Sequence, residues 1–222
     1  MIVQYRQVSD FRELVFRGPG VLEVRQGESE SLSIEAPGAV LDNIVCRVAS
    51  EKLHLGYKAE KVSPLAIYQT PIRYRLELKE LIKITITGSG RVEIPDLDTD
   101  TLVCRLSGRS TIQLDQLTSD HLDVALAAAA QMRVQGDIES QFIVLGDSAS
   151  YEAEDLMSDS ADIRLTQNAN ASVRVNDQLT AYVGGQSTLS YIGYPEVKKV
   201  GAGHIVRRRK QLPESTTLNQ RV

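Results

Sequence analysis

No stretch of the 222-residue chain approaches 18 consecutive apolar residues, so no membrane-spanning helix is expected. The opening Met1-Ile2-Val3-Gln4-Tyr5-Arg6 has no basic segment followed by an apolar run. Taken at face value, the sequence is therefore expected to carry no secretory leader and to stay cytoplasmic. Histidine is scarce. His54, His121 and His204 lie in three separate segments, and no readable motif places a serine or cysteine beside them. No nucleophile-base pair is read, and no catalytic residue is expected. Cys46 and Cys104 are the only cysteines, each in the apolar phase of a strand-like run, and are expected as buried free thiols. Calcium signatures are missing too. Asp96-Leu97-Asp98-Thr99-Asp100 alternates carboxylates but lacks the glycine and distal glutamate of an EF-hand loop, and no glycine-rich nonapeptide repeats occur. No cofactor motif appears.

Charge of one sign is lacking in the first third and concentrated after it. Residues 1–83 carry 12 Lys/Arg against 11 Asp/Glu, residues 84–203 carry 8 against 17, and residues 204–222 carry 5 against 1. The acidic middle would repel a phosphate backbone, so nucleic acid is not an expected partner.

What the middle does contain is a repeat. Thr87-Gly88-Ser89-Gly90, Ser107-Gly108-Arg109-Ser110, Ala127-Ala128-Ala129-Ala130 and Asp147-Ser148-Ala149-Ser150 each begin 20 positions after the last. Apolar-polar-apolar triplets follow in step. They predict inward columns Val92/Ile112/Met132, Ile94/Leu114/Val134 and Cys104/Val124/Val144/Ile163, because strand side chains alternate between two faces. The expected fold is all-β, a parallel β-helix (β-solenoid) with coils of about 20 residues. Leu126 to Ala130 has helical propensity, but a helix there would break the register kept on both sides, so a corner is expected.

Before the repeat, Gly20 to Arg25 and Ser31 to Glu35 alternate around a polar turn and give a hairpin-like signal, and Ile44 to Val48 with Leu53 to Leu55 give another. After a loose segment containing Lys58, Glu60, Lys61 and Pro64, Ile72 to Lys79 reads as a half-buried strand. No Pro- or Gly-rich linker separates these strands from the coils. A single body over 1–203 is expected, with an N-terminal strand region (1–83), repeat coils (84–203) and a basic, disordered tail (204–222).

At Thr87-Gly88-Ser89-Gly90 and Val92-Glu93-Ile94-Pro95-Asp96-Leu97 the chain resembles the putative auto-transporter adhesin head GIN domain, a bacterial family of unknown function. Gly20 to Gly27, the Asp-x-Leu steps at Asp100 and Asp120, and Tyr194-Pro195-Glu196-Val197-Lys198-Lys199 are similar to its opening, repeat and closing segments. The resemblance implies a right-handed β-helix, usually exported to the cell envelope, without catalytic residues.

Several residues are candidates for a site. Asp96, Asp98, Asp100 and Asp120, with Asp159 in the column of the last two, are candidates for a shared cation, against a capping role at corners. Tyr151, Tyr182, Tyr191 and Tyr194 fall in the later coils and are candidates for a glycan-stacking or oligomer surface, against packing at the end of the solenoid. Arg105 and Arg109 near Asp123 and Arg133 could form an enzyme-like face of carboxylates and bases. Arg207-Arg208-Arg209-Lys210 could meet an anion. The function expected is a non-enzymatic binding or scaffold module whose partner is a protein, a glycan or itself. The alternatives are a carbohydrate-active enzyme on the same scaffold and a cytoplasmic scaffold that stacks end to end.

Overall fold

Residues 1–58 and 71–209 are described by the structure, a computed structural model. Glu60, Lys61 and Pro64 of the loose segment, Lys210 of the basic cluster and the last dozen residues of the tail lie outside them. The N-terminal strands are β1 (Ile2–Arg6), β2 (Glu13–Arg17), β3 (Val21–Gln26) and β4 (Ser31–Ala36), then a helical turn α1 (Gly38–Leu41), β5 (Ile44–Ala49), β6 (Lys52–Tyr57) and β7 (Arg73–Leu78). Strands β8 (Lys83–Gly88), β9 (Arg91–Ile94), β10 (Leu97–Asp98) and β11 (Thr101–Gly108) begin the coils. They continue through β12 (Thr111–Leu126), β13 (Gln131–Leu145), β14 (Ser150–Leu165) and β15 (Asn170–Val183) to β16 (Thr188–Ile192), β17 (Glu196–Val200) and β18 (His204–Arg207). From β8 onward every pairing between coils of the described residues is parallel, as a β-solenoid requires.

The N-terminal strands join the same sheet. β2 pairs in parallel with β6 and β8, and β3 with β7 and β9. The hairpin read between Ile44 and Leu55 forms: β5 and β6 pair antiparallel around Ser50 and Glu51, both at positive φ. The other hairpin does not. β7 inserts between β3 and β4, which therefore never pair, because the half-buried Arg73–Leu78 strand offers both partners an edge.

Each full coil has three faces, represented in β12 by Thr111–Leu114, Leu117–Ser119 and His121–Leu126. Inward residues stack into columns. Val92, Ile112 and Met132 stack as read from the sequence, and Tyr151, Ala171 and Leu189 continue the line. Ile94, Leu114 and Val134 stack as well. The third column needs a correction, since Val124 stacks on Ile143 and Ile143 on Ile163, while Val144 points outward and is 36% exposed. The cause is a coil one residue short. On the third face the rungs run Thr101, His121, Ser140, Ser160, Gln178 and Glu196, in steps of 20, 19, 20, 18 and 18 residues. The missing residue is taken out at the corner where Leu114 and Leu117 face Val134 and Gly136.

The alanine run is a corner and not a helix, with Ala128 at φ 61°. Its partner in the next coil is Gly146-Asp147-Ser148-Ala149, one residue earlier than a strict 20-residue period gives, since Ser148 donates to Ala128 O and Ala149 to Gly146 O. Gly88, Gly108, Ala128, Asp147, Gln167 and Gly185 form a spine of positive-φ residues up this corner. Two of them hold their neighbours with side chains. Asp147 Oδ2 accepts from the Ala128 amide at 2.8 Å, and Gln167 Oε1 accepts from the Asp147 amide.

One polar relay crosses the apolar core and ties the three faces together. Tyr151 on the first face donates its hydroxyl to Gln141 Oε1 on the third at 3.0 Å, and Gln141 Nε2 donates to Ser158 Oγ on the second at 2.7 Å. Ser158 Oγ in turn donates to Arg174 O at 2.9 Å. All three side chains are buried, and burial pushes the Tyr151 phenol well above its usual range. Tyr151→Phe leaves the Gln141 carbonyl oxygen without this donor, and the expected cost is about 1–3 kcal/mol in urea unfolding.

Both cysteines are free thiols, Cys104 fully buried and Cys46 half-buried. Burial pushes the Cys104 thiol up to about 12 and also raises Cys46, which Arg6 partly offsets. Because the thiolate is the reactive form, native protein is expected to react with a disulfide reagent slowly at Cys46 and not at Cys104. Both should react in denaturant. Rapid labelling of Cys104 in the native state would place it wrongly.

Candidate functional site

Outward residues stack as strictly as inward ones, so a coil that changes length makes relief on the surface. At the corner between the first and second faces, β14 carries residues 154–156 where β15 has none, since Ala153 pairs with Val173 and Met157 with Arg174. Glu154 and Asp155 therefore swell outward beside a first face whose neighbouring rungs bear small side chains. The result is a cleft of about 360 Å³.

Its floor is two columns of polar groups, Ser150, Asn170 and Thr188 in one and Glu152, Ser172 and Ser190 in the other. Adjacent rungs of a sheet lie roughly 4.8 Å apart, so each column repeats hydroxyl, amide or carboxylate groups at that spacing. Arg133 and Gln135 bound the cleft on the N-terminal side. Arg208 closes it on the other, its amide donating to Tyr191 O at 2.8 Å and its Nη1 to Glu154 Oε1 at 3.3 Å. Tyr151 lies in the floor with its ring buried beneath the surface. The cleft thus offers donors, acceptors, carboxylates and guanidinium groups on a rigid platform.

The candidate residues are dispersed differently. Asp96, Asp98, Asp100 and Asp120 are all exposed. Asp100 and Asp120 do sit on adjacent rungs, with the Asp120 amide donating to Asp100 O at 3.1 Å, whereas Glu139 takes the rung between Asp120 and Asp159. Asp98 is tied through its backbone to Gln26. Among the described residues no three acidic, histidine or cysteine side chains gather as a metal site would need. The four tyrosines do not share a surface. Tyr151 is in the core and offers no ring to solvent. Tyr191 is partly buried against the core end. Tyr182 is 46% exposed on the third face, and Tyr194 is 83% exposed beneath the Arg207 guanidinium at 3.5 Å.

Of the enzyme-like face, Arg105 does bind Asp123 bidentately, at 3.0 and 2.6 Å on the third face. Arg133 belongs to the first face and Arg109 to a corner, so the four do not converge. Sequence reading missed a contact on the third face: His121 Nδ1 lies 2.9 Å from Ser140 Oγ on the next rung. Ser140 Oγ also lies 3.3 Å from Asp120 O as a donor, and the nearby Asp123 is committed to Arg105. The 19-residue step was the signal that would have paired them.

Residues 10–195 match the family described as putative auto-transporter adhesin, head GIN domain. Among solved structures, a putative adhesin from Bacteroides fragilis is 20% identical, with 93% of this chain and 96% of that one covered, at TM-score 0.86. A putative lipid binding protein from Parabacteroides distasonis is also 20% identical over the same shares, at TM-score 0.73. A putative adhesin from Parabacteroides merdae is 17% identical, covering 95% and 96%, at TM-score 0.75. At these identities the likeness is one of fold. No curated protein matches the chain.

Proposed function

Because this chain belongs to the putative auto-transporter adhesin head GIN domain family, we propose that it is a non-enzymatic binding module whose first-face cleft takes an extended, hydroxyl-rich ligand, a glycan. The observation that carries this reading is the paired polar floor, Ser150/Asn170/Thr188 beside Glu152/Ser172/Ser190, on rungs of fixed spacing. A sugar chain presents hydroxyls along its length, and a static lattice of donors and acceptors can meet them without reorganising. Binding is favoured over cleavage because the Glu154 carboxylate is engaged by Arg208 and the cleft lies open along the sheet. No described helix is long and apolar enough to cross a membrane. Family membership supports work at the cell envelope, where such ligands are met.

The test is a glycan array probed with the full chain, with reducing-end release followed on every glycan retained. Retention of a related set of glycans without cleavage is expected. A chain that retains none sinks the reading, and steady release of reducing ends would move it to the carbohydrate-active alternative.

A further inference from the structure

Beside the cleft, at the C-terminal end of the solenoid, four arginines from two distant segments come together. Arg174 on β15 and Arg207, Arg208 and Arg209 at the end of the described chain line a depression of about 420 Å³, with Tyr194 and Asn176. No described residue lining it is acidic. Arg207 is held with its guanidinium carbon 3.5 Å from the centroid of the Tyr194 ring, a contact made through the guanidinium's face that leaves its in-plane N–H donors for a ligand. Arg208 is anchored through its amide to Tyr191 O and through one nitrogen to Glu154, so it stands between the depression and the cleft. Tyr194 and Arg207 to Arg209 are exposed and Arg174 is half-buried.

With Arg208 paired to Glu154, the like charges of Arg174, Arg207 and Arg209 still share one concavity and repel one another, and a bound anion removes that repulsion. Guanidinium forks match the geometry of tetrahedral oxyanions, to which they donate in pairs. The acidic middle of the chain argues against a long polyanion such as nucleic acid. Continuity with a hydroxyl-binding floor through Arg208 argues for a single oxyanion carried on a sugar.

We propose that this depression is a subsite for a sulfate or phosphate group borne by the glycan whose sugar rings occupy the adjoining cleft. The sugar half of this assignment rests on the binding reading above, and the oxyanion half stands on the arginines alone. The two are separated by using two kinds of probe. Inorganic sulfate and phosphate, titrated by calorimetry into the full chain, should bind saturably, and the R174Q/R207Q double variant should lose that binding. Arg207 is exposed and Arg174 half-buried, and an unchanged melting temperature shows that the variant folds. A chondroitin sulfate tetrasaccharide should bind at least tenfold more tightly than its desulfated form, a difference of about 1.4 kcal/mol. That preference should shrink in the double variant and with added salt. Inorganic anions that bind wild type and variant alike, or not at all, would overturn the subsite. Anions that bind while the tetrasaccharide shows no sulfate preference, or vesicles of phosphatidylglycerol that bind more tightly than the tetrasaccharide, would overturn its assignment to a sugar.

Discussion

Exchanging Gly136 for alanine is expected to cost about 3–5 kcal/mol, among the largest effects of any single methyl group added to this chain. Gly136 sits at φ 130°, in a region that residues with a side chain rarely enter. A Cβ there would lie 2.1 Å from Leu117 O and 2.6 Å from Leu117 N, both backbone atoms of the coil below. Neither can turn aside, so the corner must open and break the pairing between Leu117 and Gly136. Relief would have to spread through coils stacked on both sides. For a chain of this length the melting temperature should fall by roughly 10 °C. Gly146→Ala is the control, because its new Cβ would meet only side-chain oxygens, at 3.4 and 3.6 Å. Equal melting temperatures for the two variants would mean that the close approach at Gly136 is not there.

The second large effect separates two adjacent residues. Ile143→Asn is expected to cost about 3–5 kcal/mol, from lost apolar burial together with an amide left without partners in the core. Val144→Asn should stay within about 0.5 kcal/mol, as surface substitutions usually do. Ile143 is fully buried between Val124 and Ile163, whereas Val144 looks out beside Ala125 and Arg164. A strict 20-residue period predicts the reverse order. Thermal melts of the two variants decide directly between a 19-residue coil and a 20-residue one.

That reversal shows where the sequence stops being informative. The solenoid was legible because its columns repeat apolar residues and its corners repeat small ones, and both signals survive a small error in period. The shortened coil was not legible, because Phe142, Ile143 and Val144 are all apolar and either register can bury one of them. The slip then carried forward. A period of 20 sets Glu152 on Met132 and turns Tyr151 outward, whereas the actual register stacks Tyr151 on Met132 and buries it. The same error hid the cleft, whose floor appears only when Glu152, Ser172 and Ser190 are aligned across coils of 20 and 18 residues. No local motif joins Arg133, Asn170 and Arg208, since only stacking brings them together. The missing hairpin between β3 and β4 has a related cause. Alternation marks a strand, but it cannot show that the strand at Arg73–Leu78 will come between two others.

The claim that the first-face cleft is the binding surface is tested most directly by blocking its floor. Ser172→Trp places a large ring among Ser150, Asn170 and Glu152, while Thr180→Trp places the same ring on the third face. Affinity for the glycans retained by the wild-type chain should then be measured for both variants by biolayer interferometry. Loss of binding is expected in Ser172→Trp and wild-type affinity in Thr180→Trp. Unchanged binding by a folded Ser172→Trp chain would contradict a binding role for the cleft.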